Sequence, residues 1–286
     1  MQSAGSVHGR PRVAGFPGAD IDPEPDVWSG AALDDDRIRA LAVGAYYGRS
    51  WGAYCDSVAF LPEEPGSSAT RRETAIEGLH ESWGVDHAED ARDTIRRLLA
   101  GMHAPLFELV HPLAVAAATD TGRVDRSGLA DEHREFLHTL SGFRGYRGPA
   151  GIDRDYDAWL QAIKLGITDN LPAPLQNDAT AWDLARLVFI ARASCTAGYL
   201  TEDEAFEHML TGLDRARQHY RNWRQFGDGF LTGAIFWAAT QDLSAAKRQV
   251  AERHRMIAGL HLRPSSPWRR VALHAGAPVF SPAWSA

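Results

Sequence analysis

The sequence predicts an all-α protein: a compact multi-helix bundle, built from αα-hairpins around a buried central helix. Three observations predict this class. Apolar residues recur with helical spacing through most of the chain. The signs of strands, sustained alternation and Asn-Gly or Asp-Gly turns between apolar runs, are missing. Two turns have the sequence of a helix end followed at once by a helix start.

The 286 residues divide into a folded body and two irregular ends. Residues 1–29 are rich in Gly, Pro, Ala and Asp, and we expect a disordered leader. Residues 30–262 are expected to form a single all-helical domain. Residues 263–286 contain four prolines, which exclude a long helix. Because Trp268 and Trp284 are costly to leave in water, we expect this Pro/Trp-rich tail to lie partly against the body.

Ten helices are predicted from the apolar periodicity. Their ranges are Asp34–Tyr54, Ala69–Ser82, Ala88–Met102, Ala104–Thr119, Leu129–Leu140, Tyr156–Leu165, Ala179–Ala197, Glu202–Tyr220, Trp223–Thr240 and Ser244–Gly259. Short turns between consecutive helices favour antiparallel pairs.

Two of these turns have clear helix-stop and helix-start residues. Gly84 and Gly198 are each placed to end a helix in the left-handed conformation. Asp86 and Thr201 are then expected to cap the following helices, and an acidic residue three positions after each cap completes a capping box. For Thr201 that residue is Glu204. Both turns therefore predict αα-hairpins.

The helix Ala179–Ala197 is expected to be the centre of the bundle. Its apolar residues cover the whole circumference, which is typical of a helix buried on most sides. Asp183 and Arg186 are three positions apart and so lie on one face. Because an isolated buried carboxylate costs several kcal/mol, on the order of 3–5, we expect these two side chains to pair with each other or with another helix.

The same region resembles a known family. The matching segments are Ala181-Trp182-Asp183-Leu184-Ala185-Arg186, Ala197 to Ala205, Tyr220-Arg221-Asn222-Trp223, Gly233 to Trp237 and, upstream, Glu81 to Val85 and Leu98 to His103. Over roughly residues 36–240 the chain resembles the bacterial family called domain of unknown function 1266. It departs from the family pattern at Asn222, Ala234 and Met102-His103. The resemblance implies a compact, all-helical bacterial protein and implies no activity.

Composition limits the cellular setting and the partners. The formal net charge of −7 argues against nucleic acid as a partner, and the two cysteines cannot form a disulfide framework or a four-thiolate zinc site. Residues 1–25 lack the apolar core of a signal peptide, and no uninterrupted apolar run is long enough to span a membrane. We therefore expect a cytoplasmic protein with no membrane association and no cofactor.

The charge is unevenly distributed. From Arg215 to Arg270 the sequence has 11 basic and 3 acidic residues, although the chain as a whole is acidic. This segment has two interpretations: helices that dock on an acidic body or carry solvated faces, and a local site for an anionic ligand or partner.

The candidate ligand or partner site consists of Trp182, Asp183, Arg186 and Trp223, with Trp83 as a further aromatic neighbour. In one interpretation the Asp183–Arg186 pair fixes helix register. In the other it holds a ligand beside the tryptophans or takes part in acid–base chemistry. The adjacent arginine favours the charged form of Asp183 and makes it a poor proton donor.

Two weaker patterns were weighed for metal and nucleic-acid binding. Glu77-x-x-His80 and Glu135-x-x-His138 have the spacing of di-iron ligands in helical bundles, but two such pairs are close to chance expectation. We therefore predict no metal site. The segment Gly142 to Gly148 alternates Gly, Arg and aromatic residues, which favours an ordinary interhelical loop over a nucleic-acid contact in an acidic chain.

Two functions remain open from the sequence. The first is a non-enzymatic interaction or binding module whose partner is unknown and includes another protein among the candidates. It is favoured because the spacing of the polar residues indicates helix caps and ion pairs. The second is an enzyme or small-molecule binder that uses Asp183, Arg186 and Trp182. The second hypothesis requires these groups to converge on a cleft.

Overall fold

The computed structural model describes residues 12–13, 16–17, 26–60, 70–119, 128–144, 149–173 and 175–279. Within them the chain forms these helices: α1 Asp35–Val43, α2 Ala45–Ser50, α3 Arg71–Trp83, α4 Ala88–Ala100, α5 Ala104–Ala118, α6 Leu129–Arg144, α7 Pro149–Lys164, α8 Thr180–Ala197, α9 Glu202–His219, α10 Trp223–Gln241, α11 Leu243–Leu262 and α12 Pro267–Arg270. A short 3₁₀ turn covers Thr168–Asn170. The helices pack against each other, which confirms the all-α bundle.

Extended structure is slight in the described residues. Two strands of two residues each, β1 Arg12–Val13 and β2 Phe16–Pro17, pair antiparallel within the segment predicted to be a disordered leader. A single isolated bridge joins Ala53 to Phe60. Neither contributes a layer to the helical body.

Helix α8 is the buried centre of the bundle. Sixteen of its 18 residues are buried, including the polar Asp183, Arg186 and Arg192. It packs against α3, α4, α9 and α10, and it also contacts α1, α2 and α5. A helix that is apolar on all sides has no solvent face to offer, so it forms only where neighbours cover its whole circumference. The predicted central helix is therefore confirmed.

Glycines allow two close approaches to α8. At Gly44, between α1 and α2, an added Cβ would meet the Val188 side chain, and the helix predicted as one segment from Asp34 is broken there into two. At Gly233 of α10, an added Cβ would lie 2.6 Å from the Cβ atom of Trp182. The two helices can therefore approach this closely only because residue 233 has no side chain.

The two predicted helix stops are confirmed, but Asp86 is not the cap of α4, and the capping box predicted from Asp86 is therefore wrong. Gly84 and Gly198 end α3 and α8 with φ values of 61° and 81°. The N-cap of α4 is His87, whose ring accepts from the backbone of Asp90, and not Asp86, which bonds the His80 ring instead. A hydrogen bond to another helix has displaced the predicted local cap.

The second predicted cap also takes part in an ion pair between helices. Thr201 caps α9 by accepting from the backbone N–H of Glu204 at 3.2 Å, as predicted. The Glu204 carboxylate accepts from Arg92 of α4 at 2.6 Å, and this bond and a smaller contribution from the Thr201 backbone both lower its pKa. The carboxylate therefore serves the local cap and the contact between α4 and α9.

Helices α5, α6 and α7 form a second group beside α10. Its centre is aromatic: the Phe107 ring lies 5.7 Å from Trp159 and 5.3 Å from Phe236 of α10. The buried Trp159 indole donates to Nδ1 of His111 at 3.0 Å. The buried polar atoms of this aromatic cluster are thus satisfied inside the core.

Both chain ends contribute described residues to the body. Trp268 of α12 is buried, and its indole donates to the Ala42 carbonyl at 2.8 Å. Near the other end, the buried Asp26 carboxylate lies between Arg49 and Arg263, at 3.1 and 3.4 Å. Phe280, Trp284 and most of the predicted leader lie outside the described residues.

One helical stretch, Ala88–Ala118, is long and apolar enough to cross a membrane by length and composition alone. One such stretch is weak evidence for a membrane span, because helices in the core of a folded body meet the same criteria; here 33% of the window is buried. The stretch comprises α4 and α5, which are separate helices with a break at Gly101, where φ is 92°.

Candidate functional site

The carboxylate of Asp183 joins α8 to the start of α5. Its Oδ2 atom accepts from the backbone N–H groups of His103 and Ala104, at 2.9 and 3.0 Å. These N–H groups are among the donors that a helix leaves unsatisfied at its N-terminus, and His103 itself provides no side-chain cap for α5. Asp183 therefore caps α5 from another helix, and its negative charge lies at the favourable end of the helix dipole.

Arg186 completes this cluster. Its guanidinium donates to Oδ1 of Asp183 and lies 2.7 Å from Nδ1 of His103. The same guanidinium carbon is 4.8 Å from the ring centroid of Trp182 and 5.4 Å from that of Trp83. The predicted Asp183–Arg186 pair is thus present, and two aromatic rings add cation–π contacts.

Asp183 is ionised in this setting. Burial by itself raises the pKa of the carboxylate, but hydrogen bonding with His103 and the charge of Arg186 lower it by more, so the pKa lies below its ordinary value of 3.8. With both oxygens already accepting and a side-chain exposure of 0%, the carboxylate is neither a proton donor at neutral pH nor open to a solvent-borne substrate.

Trp182 is the aromatic centre of the site. Its ring contacts Tyr47 of α2 at 6.0 Å, and it contacts Phe230 and Trp237 of α10 at 5.3 and 6.1 Å between centroids. Side chains from α2 and α10 therefore pack against this ring of α8, and Arg253 of α11 lies over it as well. Tyr47 and Trp237 are only partly buried, so the cluster reaches towards the surface.

Sequence reasoning missed Arg253 of α11. Its guanidinium carbon lies 5.3 Å from the Trp182 ring centroid, which makes it the second cation over that ring. Its position carries a signal that could have identified it: Arg253 falls at helical spacing with the buried Val250, Ile257 and Leu260, on the apolar stripe of α11.

The structure places Trp223 away from the other predicted site residues. Its ring stacks on Trp268 at 5.4 Å and its indole donates to the Val271 carbonyl at 2.8 Å. Trp223 begins α10, ten residues before Gly233, the residue that touches Trp182; at 1.5 Å per residue this is roughly 15 Å along the helix. Trp223 anchors the C-terminal segment and does not join the cluster around Asp183.

The histidines of the two patterns considered for metal binding are bonded to aspartates. The His80 ring lies 2.6 Å from the Asp86 carboxylate, and the His138 ring lies 2.7 Å from Asp153. Among the residues that the structure describes, no group of three or more His, Cys, Asp or Glu side chains is placed to hold a metal ion. In the segment predicted to be a loop, Gly142 to Gly148, residues 142–144 form the end of α6 and residues 145–148 lie outside the described part.

Both cysteines are free and partly buried. Burial raises the pKa of the Cys55 thiol to about 12 and also raises that of Cys195. Since the thiolate is the nucleophilic form of cysteine, neither side chain is activated for nucleophilic chemistry.

These features define a class of protein: a helical bundle whose most buried helix uses an ion pair to hold a neighbouring helix start. The chain belongs to the family described as "Protein of unknown function (DUF1266)", whose model matches residues 78–273. The match begins later and extends further than the resemblance in the sequence, and it includes the described C-terminal segment with Trp268.

One curated relative is similar to this chain. The chain is 24% identical over 169 residues to the "Uncharacterized protein YbeR" of Escherichia coli (strain K12). The aligned part is 59% of this chain and 60% of the relative, so the chain spans about three fifths of the length of the curated relative it matches. No solved structure matches.

Proposed function

We propose that this protein is a non-enzymatic binding module that contacts an acidic surface of a protein partner. The observation that carries the proposal is the outer face of α11. Its exposed bases Lys247, Arg248 and Arg255 recur at helical spacing, and Glu252, the one acidic residue between them, is only partly exposed.

This basic face is little neutralised within the described residues. Arg248 lies 4.0 Å from the Asp242 carboxylate, and both side chains are more than half exposed. Such a pair gains little from its Coulomb attraction in water. Leu262, at the end of the same face, is 53% exposed. A basic stripe that ends in an exposed apolar side chain suits an acidic partner, with the charge accelerating association and the leucine adding contact area.

The geometry at Asp183 supports a binding role over an enzymatic one. An enzyme built on Asp183, Arg186 and Trp182 needs a reactive group that faces a substrate. Asp183 instead caps α5 and pairs with Arg186, and its carboxylate is enclosed. The role of this pair is to hold α8 and α5 together.

We further propose a bacterial, cytoplasmic setting. The relative from Escherichia coli supports the first term. The free thiols Cys55 and Cys195 support the second, since oxidising compartments favour disulfides.

The test is affinity capture from the native cells with a charge-reversed variant. The triple substitution Lys247→Glu, Arg248→Glu and Arg255→Glu is expected to lose a stoichiometric protein partner that the wild type recovers. The wild-type complex is also expected to weaken as salt rises, because its attraction is electrostatic.

The matched control reverses three exposed bases elsewhere, Arg96, Arg97 and Arg215, and so makes the same change in net charge. This control is expected to recover the partner. Equal recovery by the α11 variant, or no stoichiometric partner in any sample, would overturn the proposal.

A further inference from the structure

The interior around Trp182 contains a cation whose hydrogen bonds are incomplete. Arg253 is 6% exposed. Its Nη2 atom donates to the Gln249 side chain at 2.6 Å, but its enclosed Nη1 atom has no hydrogen-bond partner among the described residues. Leaving a buried charged donor unsatisfied is costly, so such a group indicates an acceptor that the chain itself does not supply.

A second unsatisfied donor belongs to the aromatic ring that the Arg253 guanidinium covers. The indole Nε1 of Trp182 is enclosed, and it too lacks a partner in the described part of the chain. The Arg253 guanidinium carbon is 5.3 Å from the centroid of the Trp182 ring. Two donors on different helices, α8 and α11, are therefore left without acceptors in one small region.

The charges of the cluster are also unbalanced. Arg186 and Arg253 both lie over the Trp182 ring, whereas Asp183 is the one carboxylate paired within the cluster, and it is paired with Arg186. Glu252 precedes Arg253 on α11 and acts on the same Tyr46 hydroxyl, but among the described residues no salt bridge joins its carboxylate to the Arg253 guanidinium. Two cations and one anion leave the site short of one negative charge.

The surrounding side chains favour a ligand with a small charged group. Tyr47 and Trp237 border the Trp182 ring and are partly exposed, which brings the cluster close to solvent. Burial raises the pKa of the Tyr47 hydroxyl, so this group stays protonated and remains a hydrogen-bond donor at neutral pH. Because both donor atoms are enclosed, a ligand group reaches them only when one of the partly exposed aromatic side chains at the border, Tyr47 or Trp237, moves aside.

We propose that Arg253 and Trp182 form a binding site for the oxyanion group of a small molecule, a carboxylate or a phosphate. A guanidinium can donate two parallel hydrogen bonds to either group, and the indole N–H adds a third donor. This site is separate from the basic face of α11, because Arg253 points inward from that helix and Lys247, Arg248 and Arg255 point outward. The two proposals therefore fail independently.

The experiment is a titration followed by the indole N–H signals in ¹H–¹⁵N NMR spectra. The chain has nine tryptophans, and the signal that disappears in Trp182→Phe identifies Trp182. Sodium acetate and sodium phosphate are added separately, with sodium chloride at equal ionic strength as the reference. The Trp182 signal is expected to shift saturably with at least one of the two probes, and the probe that acts identifies the preferred oxyanion.

Two variants test the role of the arginine. Arg253→Met is expected to weaken the apparent affinity by about tenfold or more, because a charge-assisted hydrogen bond is lost. The matched control Arg255→Met removes an exposed base from the same helix and is expected to leave the affinity unchanged. If Arg253→Met fails to fold by circular dichroism, Arg253→Lys replaces it; this variant keeps the charge, loses the paired donors and is expected to bind more weakly than the wild type.

The proposal is overturned if neither probe shifts the Trp182 signal saturably in the wild type, or if the tested Arg253 variant binds as tightly as the wild type. In either case the Arg253–Trp182 contact is structural only.

Discussion

At the residue scale, the structure is held by a carboxylate that joins elements distant in the sequence. Asp183 caps α5 through the backbone of His103, which lies 80 positions earlier, and pairs with Arg186 one turn later. Burying an ion pair costs desolvation energy, which only good geometry and additional hydrogen bonds repay. The two backbone donors supply those bonds here. The pair therefore specifies where α5 begins relative to α8.

The change Asp183→Asn tests this role. We expect it to lower the free energy of unfolding by about 3–5 kcal/mol, because it leaves the buried Arg186 charge without its partner. Chemical denaturation followed by circular dichroism measures the loss.

The matched control is Asp93→Asn. Asp93 and Arg96 form the same i, i+3 pair, but their side chains are 58% and 62% exposed, against 0% and 7% for Asp183 and Arg186. We expect this control to cost less than about 1 kcal/mol. Similar losses in the two variants would contradict a structural role that depends on burial.

His261 of α11 gives the fold a pH dependence. Burial against the Trp268 ring, with a smaller contribution from the Arg224 charge, lowers the pKa of His261 to about 4. The unfolded chain, with a pKa near 6.5, therefore binds a proton before the folded chain does. The contribution of His261 to stability is present above about pH 6.5 and is lost as the pH falls towards 4.

We expect the free energy of unfolding of the wild type to fall between pH 7 and pH 4 more steeply than that of His261→Gln, which cannot take up the proton. Denaturation curves at several pH values measure both slopes. If the two proteins lose stability in parallel over this range, His261 is not buried in its neutral form in solution.

At the element scale, close helix contacts depend on residues that lack a side chain. Helix α10 crosses α8 at Gly233, where a Cβ would meet the Cβ of Trp182 at 2.6 Å and the Ala179 carbonyl oxygen at 3.1 Å. Glycine weakens a helix interior. The glycine is therefore explained by the distance between the two helices.

Gly233→Ala is expected to lower the free energy of unfolding by about 1–3 kcal/mol, because the backbone of Ala179 cannot move aside as a side chain can. In the control Gly259→Ala, on α11, the obstructing atoms belong to the flexible end of the Arg263 side chain. There alanine is expected to cost less than at Gly233, since the Arg263 side chain can shift and alanine favours helix. Thermal unfolding of both variants gives the comparison, and an increase in stability for Gly233→Ala would show that the helices are further apart.

At the scale of the whole molecule, the bundle is organised around α8. Helices from both halves of the described chain cover it: α3 and α4 from the first half, α9 and α10 from the second. The segment that follows α11 then packs across the start of α10, where Trp268 stacks on Trp223. Helix α8 carries Trp182, and α10 packs between α8 and α11, the helix that bears the basic face.

The sequence predicted those features that depend on local pattern. Each of these features depends on residues that are close together in the sequence: the all-round apolar surface of α8, the glycines that end helices and the Asp183–Arg186 pair. The sequence could not predict contacts that depend on where helices meet. Glu204 has the spacing of a capping box, but nothing in that spacing indicates its ion pair with Arg92, 112 positions earlier.

The candidate site shows the same division. Trp182 and Arg186 are one turn apart on one helix, so their proximity follows from helical geometry. Arg253 reaches Trp182 from α11, and in the sequence it belongs to a basic segment that reads as solvated surface. Trp223 was grouped with Trp182 by residue type, but the length of α10 separates them.

The most direct test of the account is native-state hydrogen exchange of the backbone amides. If α8 is the spine, its central amides, around Val188, exchange only through global unfolding, and their exchange free energy equals the free energy of unfolding. The principal contacts of α6 are with α5 and α7. Amides at the centre of α6 are therefore expected to exchange through smaller openings. Central α8 amides that exchange as readily as those of α6 would contradict the claim that the fold is built around this helix.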